Sequence, residues 1–434
     1  MNAKFSFLSS LLIVLFSTQI SLANKSAAML ARKAVSETAA ESTAAIEELR
    51  ELGPAGLEAL MAEHADEIKR HIANPKTDSG AEWQRITHAL DFVGQQKNNF
   101  VSGLFWHTDL ADAKKAARQS GKPILSLRLL GKLTDELSCA NSRFFRTVLY
   151  PNAQVASMMR DRFVLHWQSV RPVPVITIDF GDGRKLERTV TGNSIHYVLD
   201  SDGQLIEAFP GLYGPAAFLR GLTDAEKLYT SIAGKTGNER TFTLRAYYQQ
   251  RINNISVAWA KDTTAIGAML PEGFSLVKTT DGTDALSIGP LAMTKMSTEN
   301  TILRMMTRTS EALTGITDEA EWRKIALLHR ADGKLDDRSL ALIRYQNPSF
   351  SNDEITILVK KFEELITLDT VRNEYALHTK LYGWMALPQL NKDLDNFNEH
   401  VYATLFLTPR SDPWLGLLSR DVYTAIDNGG VIKR

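Results

Sequence analysis

Apolar and polar residues alternate in three different ways along this chain. From Ile46 to His64 the apolar positions recur at helical spacing, in IEELREL and then AGLEALMAEH, with Gly53-Pro54 between them. Pro54 suits the first turn of the second helix, where its missing N–H would have no partner anyway. Before this hairpin, Asn24 to Ala45 is rich in Ala, Ser, Glu and Lys with weak periodicity, which predicts a frayed or partly disordered stretch. Asn74 to Gly80 reads as a linker, and Trp83, Ile86, Leu90 and Val93 are spaced for another amphipathic helix.

From Phe105 to Leu222 the pattern changes. Asp109 to Ser120 predicts a helix, ended by Gly121-Lys122-Pro123 because proline cannot donate and biases its predecessor away from the α region. Ile124 to Leu130 is a run the length of one buried strand. Ser138, Asn141 and Ser142 are capping residues, and a helix opens at Arg143-Phe144-Phe145 and continues through Leu149. Arg162 to Val170 is a strand. Val175 to Val190 is a hairpin around Gly181-Asp182-Gly183, and Ile195 to Asp200 with Gln204 to Phe209 is a second one. Pro215 starts a helix. This order is an α/β pattern closed by antiparallel strands.

The last third, 240–434, reads as mainly helical. Helices are predicted at Phe242–Ala260, Glu311–Arg330, Ser339–Tyr345, Asp353–Ile366, Val371–Leu387 and Leu394–Phe406, with a loop stretch from Gly267 to Asn300. The tail Phe406 to Leu418 has two prolines, one tryptophan and several leucines, and is expected to dock on a core.

At 434 residues the chain has material for two to three domains. Lys+Arg and Asp+Glu are each 50, and no basic, aromatic-rich cluster occurs, which argues against a nucleic-acid binder. Residues 1–23 have the form of an export signal: Lys4, an apolar core from Phe7 to Phe16, and Ser21-Leu22-Ala23 at the cleavage position. That apolar stretch is short for a membrane span, and no later window approaches the roughly 20 apolar residues required. The mature chain is therefore expected to be exported, periplasmic or secreted, without a transmembrane segment.

One cysteine, Cys139, is present, so no intramolecular disulfide can form. It reads in two ways. It is either a buried small hydrophobe, or a functional thiol near the positive end of a helix dipole, among Ser138, Asn141 and Ser142.

The run Trp106, Asp109, Ala113, Ala116, Gly121-Lys122-Pro123, then Cys139 to Ser142, Arg162-Phe163-Val164 and Tyr197 to Gly203 resembles the thioredoxin-like family over about 120 residues. The resemblance implies a thioredoxin-like central domain at 101–225; the helical patterns on either side give an N-terminal helical segment (24–100) and a C-terminal mainly α-helical domain (240–434). The N-terminal hairpin is also similar to one HEAT-type repeat, without a second copy. The family's C-x-x-C motif falls here on Cys139-Ala140-Asn141-Ser142, a C-x-x-S, and its cis-proline position falls on Ser194. The resemblance implies Cys139 as nucleophile with Ser142 as its hydrogen-bond partner, and Asn141, Trp167, Ser194 and His196 as neighbours. A C-x-x-S site can form a mixed disulfide with a protein or small thiol partner but cannot resolve it internally. The competing expectation is a non-catalytic thioredoxin-fold scaffold whose helical flanks bind a protein. A third, metal binding, would join Cys139 to His166 and His196. Alternation places His166 and Trp167 on opposite faces, and the spacing matches no metal motif, so no metal or cofactor is assigned. Gly234-Lys235-Thr236 lacks the first glycine of a phosphate loop, since position 229 is Tyr229.

Overall fold

The structure is a computed structural model that describes residues 25–74, 80–189, 192–269, 317–387, 390, 393–415, 418, 425–426, 428 and 431–432. The export-signal stretch 1–23 and most of the Gly267–Asn300 loop lie outside the described residues, as does 311–316 at the start of one expected helix.

Helices α1 (25–33), α2 (Ala39–Glu51), α3 (Pro54–Glu63), α4 (Ala65–Ala73), α5 (Ala81–Gly94) and the short α6 (Asn99–Ser102) form an N-terminal layer. The stretch expected to fray is helical over most of its length, with Ala31, Ala34 and Ala45 buried. Alanine is the strongest helix former and packs closely, but it leaves little trace in a pattern of large apolar residues. Helix α4 lies inside the 24–100 segment expected to be helical, although no separate helix was assigned there. It has few apolar positions, yet buries Ile68 and stacks the His71 ring on Trp83 at 3.9 Å between centroids.

The middle of the chain gives β1 (Trp106–His107), α7 (Leu110–Ser120), β2 (Ile124–Leu130), α8 (Ala140–Phe144), α9 (Ala153–Arg162), β3 (Val164–Arg171), β4 (Val175–Asp179), β5 (Lys185–Thr189), β6 (Ser194–Leu199), β7 (Leu205–Pro210) and α10 (Pro215–Ser231). Helix α7 ends at Gly121, in the left-handed region, as the sequence predicts, while Asp109 stands one residue before the helix and caps it through its carboxylate. Helix α8 widens into a π turn, Phe145–Leu149. Pro151 follows, and Asn152 caps α9, a helix the sequence pattern did not separate.

The chain is thus mixed α/β, around a five-stranded sheet of order β1-β3-β2-β6-β7. Strands β1, β3 and β2 are mutually parallel, β6 runs antiparallel to β2, and β7 antiparallel to β6. Strands β4 and β5 pair only with each other, in a separate hairpin. Every residue of β2 is buried, because it is the central strand with helices on both faces.

The remaining helices are α11 (Gly237–Ala265), α12 (Glu319–Leu328), α13 (Asp337–Gln346), α14 (Asn352–Arg372), α15 (His378–Met385) and α16 (Leu394–Thr404). The two helices expected at 353–366 and 371–387 form one rod, with a π turn at Asn373–Leu377 joining α14 to α15. No Gly or Pro lies between Asn352 and Tyr382, so nothing local breaks it. In the tail Leu415 is buried, but Trp414 remains about half exposed, contrary to the expectation that it docks.

One apolar cluster runs from Leu104 to Leu415 and joins the sheet to the C-terminal helices. A second holds the N-terminal helices together with Leu342. Trp83 donates to the Tyr345 hydroxyl at 2.9 Å, tying α5 to α13. Among the described residues no helix is long and apolar enough to cross a membrane.

Candidate functional site

Cys139 lies directly beyond the central strand. Its backbone N–H donates to the Leu130 carbonyl at 3.1 Å, and it is the N-cap residue of α8. Its side chain is 0 % exposed. Burial of this degree keeps solvent and large disulfide substrates from the sulfur in this conformation.

Ser142 is held elsewhere. Its hydroxyl is 2.7 Å from Ser138 Oγ and 2.8 Å from the Cys139 carbonyl oxygen. The same Ser138 Oγ accepts from Arg146 Nη2 at 3.2 Å. Ser142 therefore serves the first turn of the helix, where serine commonly bonds back to the backbone. Asn141 is buried, and its Oδ1 has no hydrogen-bond partner among the described residues. Arg143 and Arg146 are both near enough to Cys139 to feel its charge. Burial pushes each guanidinium pKa down; the Cys139 sulfur opposes this most at Arg143, and Glu136 and Asp91 at Arg146.

Strand register assigns the other expected neighbours. Leu127 pairs with Trp167 on one side and His196 on the other, and Leu129 pairs with Ser194. Cross-strand partners share a face, so Trp167, Ser194 and His196 lie on one face of the sheet. The π turn after α8 covers that face, with the Phe145 and His196 rings 4.7 Å apart. Trp167 donates its indole N–H to the Gln95 carbonyl at 2.8 Å and so anchors the sheet to the end of α5. Ser194 begins β6, and its Oγ has no hydrogen-bond partner among the described residues.

His166 pairs with Ser126 and sits on the opposite face, its Nδ1 2.8 Å from Ser126 Oγ. The imidazoles of His166 and His196 are thus separated by the sheet, and a site joining both to Cys139 is ruled out by geometry. Burial pushes both down to about 3, so both rings are neutral at ordinary pH. Among the described residues no group of three His, Cys, Asp or Glu side chains is placed to hold a metal.

Two polar clusters escaped the sequence reading. Tyr150 closes the π turn and places its hydroxyl 2.7 Å from His196 Nε2. Glu207 lies in the middle of the apolar strand β7, 1 % exposed. Its Oε2 accepts from the hydroxyls of Tyr247 (3.0 Å) and Tyr382 (3.1 Å), and its Oε1 from the Ala208 N–H (2.9 Å). Burial raises its pKa to about 7, against these hydrogen bonds and Arg251. A carboxylate inside LIEAFP is a signal that the sequence did offer, since buried acids need partners.

Around the β3–β4 junction, Val170, Val173, Pro174, Pro413 and Leu415 line a cavity of about 430 Å³, with Arg171, Arg410 and Glu399 beside them. It opens at the base of the β4–β5 hairpin, and Cys139 is not among the residues that line it. Comparison of the chain with protein-family models, with curated proteins and with solved structures finds no match.

Proposed function

We propose that this is an exported, non-catalytic scaffold on a thioredoxin-like sheet, and that it acts by binding a protein partner. The observation that carries this reading is the state of the one cysteine. It is completely buried, and the serine that would support its thiolate is bonded to Ser138 and the Cys139 carbonyl. Support for the thioredoxin-like part comes from the strand order β1-β3-β2-β6-β7, three parallel strands followed by two joined through antiparallel pairings, with a helix beginning after the central strand. Support for export comes from the pattern of residues 1–23. The C-terminal helices share the core of the sheet, as a scaffold built as one body would.

A monothiol exchange reading keeps one observation in its favour: Cys139 is the N-cap residue of α8, with Arg143 and Arg146 near it. The two readings separate in one experiment. The folded protein is treated with a chromogenic disulfide reagent and with glutathione disulfide, and mixed disulfides are counted by mass. On the scaffold reading Cys139 reacts only after unfolding. Fast modification in the folded state would overturn it in favour of thiol exchange.

A further inference from the structure

Strand β3 leaves the sheet at Arg171, and the chain continues through Pro172-Val173-Pro174. This exit is fixed on both sides. The Gly131 N–H donates to the Arg171 carbonyl at 2.8 Å, and Ser169 Oγ donates to the same oxygen at 3.3 Å. Gly131 lies in the left-handed region at φ +76°, and a Cβ there would stand 3.1 Å from Val173 Cγ1, so Val173 packs against bare backbone. Across from it runs the tail after α16. The Asp412 N–H donates to the Pro409 carbonyl at 3.1 Å and the Leu415 N–H to the Asp412 carbonyl at 3.3 Å, which makes two consecutive turns. The Arg171 guanidinium ties tail to strand, through Nη1 to the Pro409 carbonyl at 3.1 Å and Nη2 to the Thr408 carbonyl. Between these fixed walls lies the cavity of about 430 Å³, inside the roughly 300–1,000 Å³ range of small-molecule sites.

Val170, Val173 and Leu415 give the cavity apolar side chains, and Pro172, Pro174 and Pro413 give it apolar rings without an N–H. Arg171, Glu399 and Arg410 line it as well. Arg171 and Glu399 offset one another. Burial pushes the Arg171 pKa down, and Glu399 opposes this more than any other charge. Glu399 Oε1 also accepts the Arg410 N–H at 2.7 Å, which pins the Arg410 backbone. Asp412, outside the lining, accepts the Trp414 N–H at 2.9 Å. The Arg410 guanidinium has no hydrogen-bond or ion-pair partner among the described residues. With two arginines against one glutamate, the lining carries one net positive charge on apolar walls.

We propose that this cavity binds a small aliphatic monocarboxylate, with its chain against Val170, Val173 and Leu415 and its carboxylate on the Arg410 guanidinium. Charge selects the head group. One unpaired guanidinium takes one carboxylate through two parallel N–H groups. An ammonium would instead face Arg171 and Arg410, while the carboxylate present, Glu399, is committed to Arg171 and to the Arg410 N–H. The walls select the body. Three of them are prolines, and the carbonyls of Arg171, Thr408 and Pro409 are already bonded, which leaves little backbone for a peptide to pair with. Fixed walls also mean that little order has to be created on binding. This site goes beyond the scaffold reading and does not depend on it, since Cys139 takes no part in it.

The test is calorimetric titration of the full chain with octanoate, hexanoate, octylammonium and octanol. Octanoate is expected to saturate a single site with a Kd of about 1 mM or tighter. Hexanoate, shorter by two methylenes, should bind about tenfold more weakly. Octylammonium and octanol, which cannot accept a charge-assisted bond from Arg410, should each bind at least about tenfold more weakly than octanoate. Arg410→Ala should weaken octanoate binding by a similar factor, and Arg410→Lys, which keeps the charge, by less. Arg410 is exposed and unpaired, so the melting temperatures of both variants should match wild type. No saturation by octanoate at about 10 mM overturns the proposal. Octylammonium or octanol binding as tightly as octanoate does so too. Octanoate binding that Arg410→Ala leaves unchanged would place the ligand elsewhere and equally overturn it. A tripeptide, acetyl-Ala-Ala-Leu with a free carboxylate, that binds more tightly than octanoate would assign the cavity to protein C-termini and sink the small-molecule assignment. Reactivity of Cys139 in the same folded samples is a separate readout, so the scaffold reading can fail while octanoate still binds, and the reverse.

Discussion

The hydroxyl of Tyr150 stands 2.7 Å from Nε2 of His196, and both residues are fully buried. This bond joins the π turn after the Cys139 helix to the fourth strand of the sheet order, and it is the polar contact that fixes their spacing. Burial holds the imidazole neutral and pushes the phenol well above its ordinary range, so the pair is uncharged. His196 Nδ1 has no partner among the described residues, which leaves Nε2 as the ring's one satisfied atom. Tyr150→Phe keeps the ring and removes the hydroxyl. It should cost about 1–3 kcal/mol, the penalty of an unsatisfied buried polar atom, measured by denaturant unfolding. A loss below that range would show that the bond is not a determinant of the packing.

Glu207 makes stability depend on pH in a defined direction. Its carboxyl sits at about 7 in the folded chain against 4.5 when free. The folded state therefore binds the extra proton. Its contribution is complete below pH 4.5 and is lost as pH rises through 7. Glu207→Gln carries no such titration. Between pH 4.5 and about 7.5, unfolding free energies should shift in the variant's favour by up to about 3 kcal/mol relative to wild type. Parallel pH profiles for the two proteins would contradict this.

Arg128 is 1 % exposed and reaches Asp395 at 3.3 Å, whereas the Asp395 side chain is 78 % exposed. Burial pushes the guanidinium pKa down, and Asp395 opposes that most. Asp395→Ala should destabilise by about 1–2 kcal/mol. That is less than the loss for a fully buried pair, because solvent screens the carboxylate. Adding Arg128→Met should then cost nothing further, since it removes the uncompensated charge. A double variant clearly less stable than Asp395→Ala would sink this account.

Gly214 opens α10 where the chain passes a turn from the C-terminal third. A Cβ there would stand 2.0 Å from the Asp332 backbone oxygen, and the Gly214 N–H donates to Thr370 Oγ1 at 2.7 Å. Backbone cannot yield as a flexible side chain does. Gly214→Ala should lower stability by about 1–3 kcal/mol through overpacking. It should also weaken the Arg220–Asp332 ion pair, so that an added Arg220→Ala costs less in the variant than in wild type. Equal costs in both backgrounds would argue that the turn has not moved.

Much of the middle third was legible from local pattern. The strand Ile124–Leu130, the helix before it, the Gly121 stop and both hairpins follow from periodicity and turn residues, which act over a few positions. Features without a large-apolar period were not separated, such as the alanine-rich α1 and the first half of α2, where fraying was expected, and α9 behind its Asn152 cap.

What the sequence determined by itself is the α/β order, the presence of one cysteine at a strand-to-helix junction, and the opposite facing of His166 and Trp167, because each depends only on neighbours along the chain. Whether that cysteine meets solvent, which aromatic residues pack on His196, and which hairpin stays uncovered were decided by the tertiary structure. Burial is set by segments hundreds of residues apart: α16 reaches the sheet through Asn398 on Tyr197, and Tyr402 donates to the Asn193 carbonyl. No local period encodes those contacts, since they exist only once the C-terminal helices have folded onto the sheet.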